Sequence, residues 1–265
     1  MQDVQKRADA RGIAIQHVGV NHVQLPFLIK TKDGGFQQVL ADIRFTVSLP
    51  KEYKGTHMSR FVEILMPWSK KPLAEPEMDT MLSEALGKLD AESAEIELAF
   101  KYFIEKKAPV SGGASLLGID CSFSGRKERG AAMAFTLGVA MPFTSLCPCS
   151  KEISDYGAHN QRSLSRVRVR FAPGKECIYI EDLAALLERQ GSAPIYPLLK
   201  RPDEKYVTEA AYDNPKFVED ILRDTVLALR GIDGLAWFSL VCENQESIHS
   251  HNAYASHEET LLSNG

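Results

Sequence analysis

The sequence predicts an α+β fold of two consecutive units, each ordered ββααββ with an antiparallel sheet. Three observations predict it. Apolar residues alternate with polar ones in eight short runs, four in each half of the chain. Helical periodicity appears between the second and third run of each half. Glycine- and proline-rich turns join neighbouring runs closely enough for antiparallel pairing. The units are expected at 19–128 and 129–257, after a flexible lead at 1–18 and before a polar, frayed tail at 258–265.

In order, Val20–Ile29 and Phe36–Leu49 are β-rich runs around Lys32-Asp33-Gly34-Gly35, a hairpin turn because glycine accepts positive φ. In the second run Ile43, Phe45, Val47 and Leu49 alternate with Arg44, Thr46 and Ser48, the pattern of a half-buried strand. The stretch 55–61 opens a helical pattern that runs through Met66, with Pro67 and Pro72 interrupting it. Met78, Met81, Leu82, Leu86 and Leu89 mark a second helix over 77–90. Strands over 94–103 and 115–124 flank the linker Ala108-Pro109-Val110-Ser111-Gly112-Gly113. The second half begins with a strand over 132–142 that leads into a cysteine loop, then a strand over 165–171 and a helix over 180–190. The charged stretch 199–209 reads as a loop, and a helix over 215–230 takes Asn214 as N-cap, Pro215 as first residue and Gly231 as its end. Strands over 235–242 and 251–256 close the set. A four-stranded sheet with helices on one face buries that face only, so an oligomer with strands joined edge to edge into a barrel is expected.

Composition excludes several classes. No run of about 18 apolar residues spans a membrane. The N-terminus lacks the apolar core of a secretory signal. Five cysteines are too few and odd in number for a disulfide framework, which points to a reducing cytoplasm. A net charge of −4 gives no reason to expect nucleic-acid binding.

Chemistry concentrates in three segments. Cys147 and Cys149 lie one residue apart, with His159 ten residues further on. Thiolate and imidazole both suit a transition ion, and a Cys-x-Cys chelate on one ion would be strained. One sulfur would therefore bind metal and the other stay free; the competing reading is two unrelated cysteines beside a turn histidine. In 199–209, a carboxylate completes such a site while Lys200, Arg201 and Lys205 meet phosphate oxygens, or the segment is solvated charge. After the run ending at Cys242, Glu246, His249 and His251 form a ligand or proton-transfer group, or a surface pair; an extended His-x-His puts both rings on one face. Glu219, early in the last helix, complements the helix dipole or accepts two hydrogen bonds from a guanine edge.

Taken together, Lys54–Phe61, Thr144–Ser154, Gly157–Ser163, Lys200–Glu204 and Glu246–His251 resemble, in order, the type I-B GTP cyclohydrolases, bacterial enzymes that can work without zinc. The resemblance covers roughly residues 15 to 256. It implies the tunnelling fold, with two ββααββ modules per chain in a homotetramer whose sites lie near subunit interfaces. It implies conversion of GTP and water to 7,8-dihydroneopterin triphosphate and formate, the entry to folate synthesis. Position by position, it makes Cys147, His159 and Glu204 ligands of one divalent ion (Zn, Mn or Fe) and Cys149 the free acid/base thiol. It makes Glu219 the guanine anchor and places Glu246, His249 and His251 in the active-site block. Lys151, Arg162, Lys200, Arg201 and, from a neighbouring subunit, His57 and Arg60 are its candidates for the triphosphate. Two rivals stand beside it: the NADPH-dependent nitrile reductase of queuosine synthesis, whose Glu-x-Lys-x-x-Lys signature is absent, and a non-catalytic metal-binding module.

Overall fold

The computed structural model describes residues 10–261. The first nine residues of the expected lead and the last four of the expected tail lie outside the described residues. The chain divides into two compact units: residues up to Lys101 with Ser122–Leu137, and Tyr102–Cys121 with the residues from Gly138 on.

The first unit contains β1 (Ile15–Lys30), β2 (Phe36–Leu49), α1 (Met58–Trp68), β3 (Pro72–Leu73) and α2 (Glu75–Leu89). It also takes parts of β4 (Ser93–Lys107), β5 (Ala114–Glu128) and β6 (Ala134–Leu146). Its strands follow the order β3-β1-β2-β4-β5-β6. β1 and β2 form an antiparallel hairpin from Lys30↔Phe36 to Ile15↔Leu49, closed by Gly34 at φ +84°. β2 pairs with β4 from Ala41↔Phe100 to Val47↔Ala94, so the alternation read in 43–49 sets which side chains enter the core. Ile43 and Phe45 are fully buried, as are Phe61, Ile64 and Leu65 of α1. The Phe45 and Phe61 rings meet edge to face at 5.3 Å. Such a pair adds about 0.5–1.5 kcal/mol beyond the area it buries. Pro67 falls in the last turn of α1 rather than beyond it; there the missing N–H costs a single helical bond.

The second unit holds the remaining parts of β4 to β6, then α3 (Pro148–Ile153), β7 (Asn160–Phe171), α4 (Ile180–Glu188), α5 (Arg201–Asp213), α6 (Val218–Arg230), β8 (Leu235–Gln245) and β9 (Ala253–Thr260). Its strand order is β4-β5-β6-β7-β8-β9. β8 lies antiparallel to both β7 and β9, and Asn244↔Ala253 is the last pair before the β8–β9 loop. Val167, Val169, Phe238 and Leu240 point inward with Leu183, Leu187, Ile221 and Leu229 of the helices.

Several expectations change. Residues 15–18 of the expected flexible lead belong to β1. The charged stretch 199–209 is not a loop but most of α5. Only Asp203 and Ala211 of α5 are buried, so the helix carries no apolar stripe to betray it. It is held instead by Asp203, which accepts the Lys200 N–H at 2.9 Å, and by the Arg201–Glu204 and Lys205–Glu209 pairs. Asn214 ends α5 rather than starting α6, which begins at Val218 with the Phe217 N–H bonded to Asp220 at 3.0 Å. Gly231 ends α6 as expected. The cysteine loop is partly helical, as α3. Residues 258–260 are not frayed but belong to β9, where Glu258 pairs with Ser239 and Glu259 meets Arg230 at 3.0 Å.

Candidate active site

The site residues of the second unit are placed by the ends of β6, β7 and β8. β6 stops at Leu146, whose N–H donates to Ser192 Oγ (3.0 Å) and whose carbonyl accepts the Lys216 N–H (3.0 Å). These bonds tie the strand end to the lead-in of α6. Cys147 follows as the residue before α3, and its N–H donates to the His159 carbonyl at 3.1 Å. Ser150 reinforces this link, donating to the Cys147 carbonyl and accepting the His159 N–H, both at 3.1 Å. The reversal that makes it possible passes through Gly157 at φ +136°, a conformation that favours glycine. Cys147 and His159 are thus neighbours by backbone pairing, while Cys149 stands exposed in the first turn of α3.

The His159 ring is enclosed, with 14% of its side chain exposed. Its Nδ1 lies 3.0 Å from Gln161 Oε1, 3.3 Å from Ser247 Oγ and 3.9 Å from Glu246 Oε2. The β8–β9 loop therefore meets the cysteine segment at this ring. In the same loop His249 and His251 stack, with centroids 5.2 Å apart and planes 15° from parallel. The loop is bent rather than extended at these residues, but the rings still share a face.

Other candidates lie differently. Glu204 is half-exposed on α5, 3.4 Å from Arg201. Among the described residues no three His, Cys, Asp or Glu side chains come together as a metal site requires. The structure brings Cys147 and His159 together by backbone pairing and leaves Glu204 on α5. Lys151 reaches the Tyr212 carbonyl at 2.6 Å and lies over the Tyr212 ring, a contact that engages its charge. Lys200 and Arg201 are exposed at the start of α5, and Arg162 is exposed on β7. Glu219 is exposed in the first turn of α6. His57 and Arg60 belong to the first unit, where they line a cleft of about 210 Å³ with Tyr53, Lys88 and Asp90. Arg60 there donates to the Lys88 carbonyl at 3.2 Å.

The profile of the family described as type I GTP cyclohydrolase folE2 matches residues 1–255. The GTP cyclohydrolase FolE2 of Geobacter metallireducens is 51% identical over 258 residues, covering 97% of each chain. That of Geobacter sulfurreducens is 50% identical over 259 residues, covering 98% of each. The chain belongs to the type I GTP cyclohydrolase FolE2 family.

Among solved structures, uricase from Arthrobacter globiformis superposes with a TM-score of 0.54 at 7% identity, over 94% of each chain. A hyperthermostable mutant of Bacillus sp. TB-90 urate oxidase gives 0.52 at 8% identity, over 93% of this chain and 98% of that one. At such identities the likeness is one of fold alone, a mixed α+β architecture with a large sheet.

In this FolE2-family chain, sequence reasoning missed four supporting side chains. Asp203 is buried beside Glu204, and its carboxylate accepts from Val110 N–H, Ser111 N–H and Ser111 Oγ as well as Lys200. Burial alone would raise its pKa; those hydrogen bonds outweigh burial and hold it well below the usual carboxylate range. Ser145, Gln161 and Ser163 are buried behind His159. Strand parity was the available signal for two of them, because Gln161 and Ser163 keep step with the inward Val167 and Val169.

Proposed function

We propose that this chain is a GTP cyclohydrolase I: it opens the imidazole ring of the GTP purine at C8 and yields 7,8-dihydroneopterin triphosphate and formate, the first step of tetrahydrofolate synthesis. The observation that carries the reading is the meeting of two distant segments at one ring. Glu246 and Ser247 reach His159, which is backbone-paired to Cys147 two residues before the exposed Cys149. Family membership over nearly the whole chain supports the same reaction.

Two waters must add at C8 in turn, each addition breaking one C8–N bond, so that C8 leaves as formate. Condensation of the freed amine with the opened sugar then closes the pterin ring and returns one water, for a net consumption of one. Protons are needed on N7 and N9 as those bonds break. Cys149, His249 and His251 are assigned to hold and deliver them, since thiol and imidazole exchange protons readily near neutrality. Glu219 is assigned to the guanine edge, where a carboxylate accepts from both N–H groups, and Glu246 helps to hold the substrate. Lys200 and Arg201, with His57 and Arg60 from a neighbouring copy, are assigned to the triphosphate.

One divalent ion, Zn, Mn or Fe, belongs to this reading through the resemblance, and when bound it would lower the pKa of a water. Cys147 and His159 are its neighbouring donors, and Glu204 would have to leave Arg201 to join them. The reading further takes the chain as two tandem ββααββ modules, 19–128 and 129–257, closing into barrels in a cytoplasmic homotetramer without nucleic-acid or membrane partners. Among the described residues no helix is long and apolar enough to cross a membrane.

The test is direct. Purified protein is incubated with GTP and each divalent ion in turn, oxidised, and read by pterin fluorescence and formate release. One formate per GTP consumed is expected. Intact GTP under every ion overturns the reading.

A further inference from the structure

Ser145, Gln161 and Ser163 are 0%, 7% and 1% exposed, so water does not compete for their polar atoms. Burying such groups is costly unless each is bonded. They bond to one another in a single line. The Ser163 hydroxyl donates to Ser145 Oγ at 2.7 Å, and Gln161 Nε2 donates to the same oxygen at 2.9 Å. With its nitrogen engaged there, the Gln161 amide presents Oε1 to His159 Nδ1 at 3.0 Å. An acceptor at that distance requires the hydrogen to be on Nδ1. Glu246 Oε2 and Ser247 Oγ also face Nδ1, and a carboxylate near it favours the same placement.

We infer that Gln161 is a positioning residue that locks the neutral His159 ring as its Nδ1–H tautomer, leaving Nε2 as the unprotonated nitrogen, and that Ser145 and Ser163 serve to aim the Gln161 amide. Gln161 is buried and acts through His159. Its importance for turnover rests on the proposed function, whereas the tautomer does not.

Nitrogen-15 NMR of histidine-labelled protein stripped of divalent ions with a chelator, so that no ion fixes the ring, reads the tautomer above the pH at which imidazole titrates. His159→Asn identifies the signals by their loss. The wild type is expected to show a protonated Nδ1 and an unprotonated Nε2. Gln161→Leu should give a mixture of both tautomers, Ser145→Ala a smaller shift in the same direction, and Gln161→Glu, which retains an acceptor, the wild-type pattern. Turnover of GTP in Gln161→Leu should fall about 10- to 100-fold and recover in large part in Gln161→Glu. A packing role alone would move neither the ring signals nor their rescue.

A wild-type ring protonated on Nε2, or an unchanged pattern in Gln161→Leu, overturns the inference. The wild-type spectrum decides even if Gln161→Leu does not fold. A wild type that shows the Nδ1–H tautomer but leaves GTP intact defeats the proposed function and leaves this inference standing.

Discussion

At the scale of single residues, two side chains separate chemistry from packing. Cys149 is exposed in α3 and contributes nothing to the core, so its removal should leave stability unchanged. If it delivers a proton as a C–N bond breaks, Cys149→Ala lowers kcat by about 100-fold or more, in line with the usual worth of a general acid. Single-turnover measurements with GTP check this, and normal turnover removes Cys149 from the mechanism. Glu219 is exposed at the start of α6, where it adds little more than favourable dipole charge to the helix. A carboxylate bonded to both N–H groups of guanine contributes about 1.5–3 kcal/mol per charged hydrogen bond. Glu219→Gln should therefore weaken GTP binding by at least tenfold in calorimetry, with the melting temperature within about a degree or two of wild type. In the sequence the Cys-x-Cys spacing singles out Cys147 and Cys149 without saying which is free, and Glu219 stands between helix-dipole charge and guanine anchor until the family resemblance is added. The polar string behind His159 is not legible there, because Ser145 lies 16 positions from Gln161 and only the folded sheet brings them together.

At the scale of elements, α5 has the most to teach. Its charged sequence reads as solvated loop, yet the Asp203 carboxylate ties the helix start to the linker between β4 and β5 through Val110 and Ser111. The prolines and glycines of the linker mark it as non-helical, and no local pattern indicates that an aspartate more than 90 residues away closes it. Because the folded state depresses the Asp203 pKa, its contribution is present above the unfolded value, about 3.9, and is lost as pH falls through the folded value. Wild type should thus lose stability below about pH 4 more steeply than Asp203→Asn. Asp203→Asn should in turn be less stable at pH 7, since one of its oxygens becomes an amide unable to accept. Urea unfolding at both pH values measures the two effects. Parallel pH curves for the two proteins would sink the clamp.

At the scale of the whole molecule, the strand order leaves β9 last, and its residues alternate between partly buried and exposed. A strand in that position offers backbone groups to another chain. Leu40, Leu116 and Tyr254 remain largely exposed on the strands, as surfaces awaiting cover would be. The proposed homotetramer predicts a mass near four times 29.4 kDa in native mass spectrometry. A monomer at micromolar concentration would exclude it and, with it, the delivery of His57 and Arg60 from a neighbouring copy.

The amino-acid sequence by itself determined the alternating strands, the helices with an apolar face, and the blocks of cysteine, histidine and glutamate that mark the family. Each is a local pattern, set by how side chains repeat along a strand or helix. Only the tertiary structure decided that 199–209 is helical, that residues 258–260 pair into the sheet, and that Gln161 faces His159. Those features depend on partners far away in the chain, and a hydrogen bond between distant residues leaves no periodicity in either of them.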